Sequence, residues 1–287
     1  MAEVQPYDID ALQVNPAPVL DNCSERLACA GCGKKTKFFC YFCCQPVPQL
    51  RDQIPRIRLP FKMDVIKHAK ELDGKSTALH AKIVAPEDVN IVTYSPSCLD
   101  GVDPLRTALL FPGPDAVDIA TLDPQSFDKV IVIDGTWSQA KGMLHHNTKL
   151  RLMQKVTVKP RKTRFWRYQS LDDSYMATIE AIYFLYRDSF GPGYAGEYDA
   201  LMYFYKYFYD FIQNEYKNDP SKKYHSKQRN GYITYDSGNG TGGSGNGDVP
   251  KREKHDTRTK INYEFGDLQL DSVFETGETS EPSREST

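Results

Sequence analysis

Two groups of residues in this 287-residue chain have types and spacings suited to chemistry. The first is "CAGCGKKTKFFCYFC", where Cys29-x2-Cys32 and Cys40-x2-Cys43 form two knuckles seven residues apart. Four thiolates so spaced surround a zinc ion tetrahedrally, and Gly31 and Gly33 permit the tight turns. Four sulfurs leave no open coordination position, so the expected role is structural rather than catalytic. Cys23 and Cys44 are surplus to this set. The second group is "VIVIDGTWSQAKGML", residues 130–144, in which an apolar strand ends in Asp134. A carboxylate gains nothing by closing a buried strand. At the dry mouth of a site its pKa rises from about 3.9, and it becomes a more capable base. Its bland alternative is a helix cap, a duty that Thr136 or Ser138 could perform instead. Trp137 either packs in the core or stacks on a base or adenine.

The elements that must hold these residues are short apolar strands alternating with amphipathic helices. "IPRIRLP", "NIVTY", "TALLF", "KVIVID" and "VTVK" read as strands. "SQAKGMLHH" reads as a short helix. "DDSYMATIEAIYFLYRDSF" reads as a longer one capped at Asp173 or Ser174, and "EYDALMYFYKYFYDFIQNEY" as a largely buried third. Continuous apolar strands between helices imply an α/β fold, a mostly parallel sheet covered on both faces. In such sheets ligands bind beyond the carboxyl ends of the strands. "KVIVID" and "TALLF" both end there in unusual loops. "LLFPGPD" gives Phe111, Pro112 and Gly113, either a stiff turn or a backbone wall for a flat ligand, with Gly113 admitting close approach. "DGKST" is not a P-loop, because Ala69 stands where the first glycine is required. It is a loop whose lysine and hydroxyls face a polar ligand or solvent. Glu180 within "ATIEAI" is a buried carboxylate that needs a partner, structural or ligand. His68 with Glu71, and His80, read more simply as structural residues.

Charge adds a partner. The formal net charge is only -2, yet from Gly135 to Leu171 there is no acid and nine cations. Within that block "KPRKTRFWRYQ" interleaves Lys159, Arg161, Lys162, Arg164 and Arg167 with Phe165, Trp166 and Tyr168. Cations hold phosphates and aromatic faces stack on unpaired bases, so RNA is the expected polymer.

The organisation follows: a flexible lead over 1–28, a four-cysteine zinc-binding element over 29–47, a catalytic domain over 48–218 and a disordered low-complexity tail over 219–287. No signal peptide or membrane span is apparent, so an intracellular location is expected. "KREK", beginning at Lys251, fits a nuclear signal, with the cytoplasm as the alternative.

Asp134-x-Thr136-Trp137 with Gln139 resembles the signature of the DTW-domain tRNA-uridine aminocarboxypropyltransferases. "KHAKELDGKSTALHAK", "LLFPGP", "KPRKTRFWRYQ" and "ATIEAIYFLY" follow that family's order, over roughly residues 26–217. The resemblance implies a SPOUT-like fold with a C-terminal knot, S-adenosylmethionine as donor substrate, and N3 of a tRNA D-loop uridine as acceptor. It implies Asp134 as base, Thr136 and Trp137 shaping its pocket, and Phe111, Pro112, Gly113 and Ile133 walling the adenosine. Thr178 and Glu180 would bind the donor's amino-acid end, while Arg164 and Arg167 meet phosphate or carboxylate. The rival readings are an RNA methyltransferase using the same donor and a non-catalytic zinc module that binds RNA.

Overall fold

Helix α1 (Pro18–Asp21) leads into four two-residue strands, β1 (Leu27–Ala28), β2 (Lys35–Thr36), β3 (Phe39–Cys40) and β4 (Gln45–Pro46). They pair antiparallel as β1–β2 and β3–β4. The body follows with β5 (Lys62–Lys67), α2 (Ala78–Val84), β6 (Val89–Thr93), β7 (Thr107–Leu110), β8 (Val117–Asp118) and β9 (Lys129–Asp134). Then come α3 (Trp137–His146), α4 (Thr148–Leu152), β10 (Gln154–Thr157), α5 (Thr178–Phe190) and α6 (Tyr203–Asn218). This computed structural model describes residues 6–14, 18–166 and 174–218, all within one compact unit.

β5 to β10 form one sheet in the order β6-β5-β9-β7-β10-β8, with every pairing parallel. The expected α/β class is therefore observed. The apolar runs of β7 and β9 occupy the centre with the buried Met63, Val65 and Ile66 of β5, as a sheet covered on both faces requires. Side-chain alternation divides those faces. Ile66, Leu109 and Ile131 pack with Ala140 and Met143 of α3 and Leu150 of α4. The opposite face lies under α5, whose Thr178 reaches Asp134 at one end and whose Tyr186 hydroxyl donates to Phe61 O at 3.1 Å at the other. α2 packs against α5. A fully parallel sheet brings the carboxyl ends of its strands, Lys67, Thr93, Leu110 and Asp134 among them, to one edge.

Three expectations need correction. "IPRIRLP" is not a strand; pairing begins at Lys62, because Pro55 and Pro60 withdraw ladder donors. α5 begins at Thr178 rather than after Ser174, and Glu180 reaches back to accept from Ala177 N at 2.7 Å. Asp173 lies outside the described residues. The lead is anchored where it is described: Tyr7, Ile9, Leu12 and Leu20 are buried. Gln13 N donates to Asp199 at 2.7 Å, and Tyr7 stacks edge-on against Phe184 at 4.9 Å. A few apolar side chains in a polar segment suffice when a groove between helices awaits them. The tail over 219–287 lies outside the described residues.

Candidate active site

Asp134 ends β9, the strand between β5 and β7, and its side chain is 3% exposed. Thr178, the first residue of α5, donates through Oγ1 to Asp134 Oδ1 at 2.6 Å. Oδ2 is equally buried but has no hydrogen-bond partner. Burial raises the carboxyl pKa above its ordinary value; the Ser76 and Thr178 hydroxyls and the Lys67 ammonium act the other way without cancelling that rise. Ser76 acts on the charge without closing a hydrogen bond to Oδ2. The result is a desolvated carboxyl group with one buried oxygen that lacks a donor.

The turn after it explains the spacing Asp-Gly-Thr-Trp. A Cβ on Gly135 would sit 2.9 Å from Gln139 Oε1 and 3.1 Å from His68 Cβ, so a side chain there would crowd the turn. His68 N also donates to Asp134 O at 2.8 Å, tying β5 to the end of β9. Thr136 caps α3: its Oγ1 accepts from Gln139 N at 3.3 Å, while its N–H donates to Gln139 Oε1 at 2.7 Å. Thr136 thus fixes the helix start, the duty that Asp134 was weighed for. Trp137 packs edge-on between Phe111, at 5.8 Å, and Tyr175, at 5.0 Å.

Phe111, Ile133 and Trp137 share the α3 face of the sheet. Asp134 and Thr178 share the α5 face, because Asp134 alternates with Ile133. The expected cofactor wall and the expected base therefore lie on opposite faces and approach each other only over the carboxyl edge. Pro112 and Gly113 follow Phe111 there and are exposed.

Of the two kinds of partner weighed for Glu180, the described residues supply the structural one. It is 0% exposed, and its carboxylate accepts from Tyr7 OH and Arg164 N, both at 2.8 Å, from Ala177 N at 2.7 Å, and from Thr163 Oγ1. Four protein donors use the capacity that a ligand ammonium would need. The lead supplied one of them, Tyr7, which no local sequence signal marked.

The basic block is likewise partly spent within the fold. Arg161 forks onto Asp188 with contacts of 2.8 and 2.6 Å and lies 4.0 Å from the Phe184 ring centroid. A guanidinium in a bidentate pair has fewer donors left for phosphate. Lys155 pairs with Asp115 at 2.5 Å and Lys149 donates to Leu99 O at 2.8 Å. Arg164 Nε donates to Tyr7 O at 3.1 Å, and Trp166 packs 5.2 Å from Tyr205. Lys159 is exposed and Lys162 half-buried; Arg167 lies outside the described residues.

The four cysteines converge as expected. The sulfurs of Cys29, Cys32, Cys40 and Cys43 lie within 4.8 Å of one another, against the roughly 3.8 Å of a tetrahedron with 2.3 Å zinc–sulfur bonds. The two knuckles repeat one geometry. Gly31 N donates to Cys29 Sγ at 3.3 Å and Cys43 N to Cys40 Sγ at 3.4 Å. The residue after each knuckle, Gly33 or Cys44, has positive φ, at 72° and 49°. Such N–H···S bonds favour thiolates, the form that binds a metal. The residues therefore fit a metal ion.

An all-parallel α/β domain with a desolvated carboxylate at its strand edge and an attached four-cysteine element defines the class. A DTW domain model matches residues 37–213. The match takes in the second knuckle, so the family boundary falls inside the four-cysteine element rather than after it. The chain is 36% identical over 242 residues to a mouse (Mus musculus) protein named tRNA-uridine aminocarboxypropyltransferase 1, covering 67% of this chain and 78% of the relative. Proteins of the same name from Homo sapiens and Xenopus tropicalis are 35% and 34% identical, again over 67% of this chain and over 78% and 81% of theirs. The chain belongs to the DTW-domain family. No solved structure matches it.

Proposed function

We propose that the chain is a tRNA-uridine aminocarboxypropyltransferase that moves the 3-amino-3-carboxypropyl group of S-adenosylmethionine to N3 of a D-loop uridine. The observation that carries this reading is Asp134: a buried carboxylate with one unpaired oxygen, in a chain whose relatives are named tRNA-uridine aminocarboxypropyltransferase 1. Uracil N3 is a weakly acidic imide and a poor nucleophile until its proton leaves. Asp134 takes that proton. The freed nitrogen pair forms the bond to the methylene next to sulfur, the carbon–sulfur bond breaks, and its electrons neutralise the sulfonium as methylthioadenosine. Asp134 then returns its proton to solvent. The leaving group is already activated, so what the protein supplies is a base and a fixed line of attack.

The edge formed by Phe111, Pro112, Gly113 and Ile133 would face the donor, and Thr178 would orient Asp134 rather than bind the amino-acid end. Lys159, Lys162, Arg164, Trp166 and Arg167 would meet RNA. Glu180 and Arg161 have no part in the reading. Zinc at the four cysteines would hold the N-terminal element together, a SPOUT-like knot would complete the fold, and the basic run at 251–254 would direct the chain to the nucleus. No helix among the described residues is long and apolar enough to cross a membrane.

The test is to incubate purified protein with tRNA and S-adenosylmethionine and identify the small product. Methylthioadenosine is expected. S-adenosylhomocysteine would mean methyl transfer, and the absence of any product with RNA still bound would favour the binding module. Elemental analysis is expected to find one zinc per chain.

A further inference from the structure

Lys67 and Ser76, the two residues that act on the Asp134 charge along with Thr178, line a cleft of about 520 Å³, within the range of roughly 300–1,000 Å³ typical of ligand sites. Tyr41 and Phe42 of the four-cysteine element line it, as do Lys67 and Thr93 at the sheet edge and Ser76 in the loop before α2. Two of these residues also bear on Asp134. Lys67 is its register partner across β5 and β9, so both side chains leave the same face. Ser76 is buried, and its hydroxyl favours the ionised carboxylate. At the rim Phe42 is 56% exposed, with Lys34 Nζ 3.1 Å from its ring centroid, a pairing of cation and aromatic face suited to a nucleotide.

We propose that this cleft receives the acceptor uridine and that Ser76 and Lys67 read the imide edge of uracil on either side of Asp134, a role that rests on the transferase activity proposed above. That edge presents an acceptor, a donor and an acceptor: O2, N3–H and O4. Its complement is a donor, an acceptor and a donor: the Ser76 hydroxyl and the Lys67 ammonium, which line the cleft, and the unpaired Asp134 Oδ2, buried next to them. Cytosine offers a bare N3 and an amino group instead, leaving the carboxylate and one donor unmatched, and such mismatches are rejected strongly. As N3 loses its proton, charge spreads to O2 and O4, where a fixed ammonium stabilises it. Lys67 is also paired with Asp73, but an ammonium has three donors, and one tether leaves two. Tyr41 and Phe42 supply the face for an unstacked base, which gives the four-cysteine element a share in substrate binding.

The experiment is single-turnover transfer to a tRNA transcript, followed from neutral to alkaline pH. Lys67→Met is expected to lower the neutral-pH rate about a hundredfold, with the loss shrinking as pH rises because N3 ionises unaided. Asp73→Asn breaks the ion pair but keeps the ammonium, and should stay within about threefold of wild type. Ser76→Ala should lose about tenfold, restored by Ser76→Thr. Cytidine at the target position should yield no product. If Lys67→Met loses rate equally at all pH values and Asp73→Asn matches it, Lys67 serves the fold and the proposal fails. Transfer to cytidine would also overturn it. Absence of methylthioadenosine with wild-type protein would instead sink the transferase reading itself.

Discussion

Asp134 and Glu180 are both carboxylates buried to within 3% of complete, and the protein treats them oppositely. Glu180 accepts from four donors drawn from the lead, the basic segment and the start of α5. Asp134 has one hydrogen-bonded oxygen and one bare one. A buried charge fully supplied with donors ties segments together, whereas one left short is destabilised until something brings a donor to it. Identical burial thus marks a structural node in one place and a reactive group in the other, and the donor count separates them.

Asp134→Asn should give the largest effect. Transfer should fall by about a thousandfold or more, since a base is lost, while tRNA affinity measured by filter binding stays near wild type. Stability should hold or rise. The folded pKa of Asp134 lies above its unfolded value, so the native state holds its proton more tightly, and stability is lost as pH climbs from the unfolded pKa through the folded one. Above the unfolded pKa the cost of ionising the group is felt, and the amide removes it. Thermal melts of both proteins at acidic and neutral pH check the sign; a lower neutral melting point for the variant would break the comparison.

Glu180→Gln should act on the fold. The amide presents a donor where donors already converge, at a cost of about 3 kcal/mol. That corresponds to a melting point roughly 6–12 °C lower, with the rate per folded molecule near wild type. A large rate loss in a stably folded Glu180→Gln protein would return Glu180 to the ligand. The smallest effect concerns cations and carries the same distinction onto positive charge. Lys159→Ala should weaken tRNA binding a few-fold and reduce the salt slope by about one, whereas Arg161→Met, which strips Asp188 of its bidentate partner, should lower stability and leave that slope unchanged.

The parallel α/β class, the β9 strand with Asp134 at its tip, α3 behind it and the four-cysteine set were legible because each depends on local order. An apolar run of four between Lys129 and Asp134 reads as a strand, a Thr or Ser behind it can cap a helix, and two Cys-x2-Cys turns bring four sulfurs together. β5 escaped notice because its apolar residues stand among Lys62, Asp64 and Lys67, charges that lie at the sheet edge or find partners such as Lys129, 2.7 Å from Asp64. The acid-free block looked uniformly available because its neutralising acids, Asp115 and Asp188, come from outside it.

Residue order alone therefore determined which carboxylate ends a central strand and which cysteines share a site, since both follow from spacing within one or two elements. Only the tertiary structure decided that Glu180 is satisfied and Asp134 is not. Hydrogen-bond supply to a buried group is set by neighbours up to 173 residues away in the chain, as Tyr7 is from Glu180, and no window of sequence contains them both.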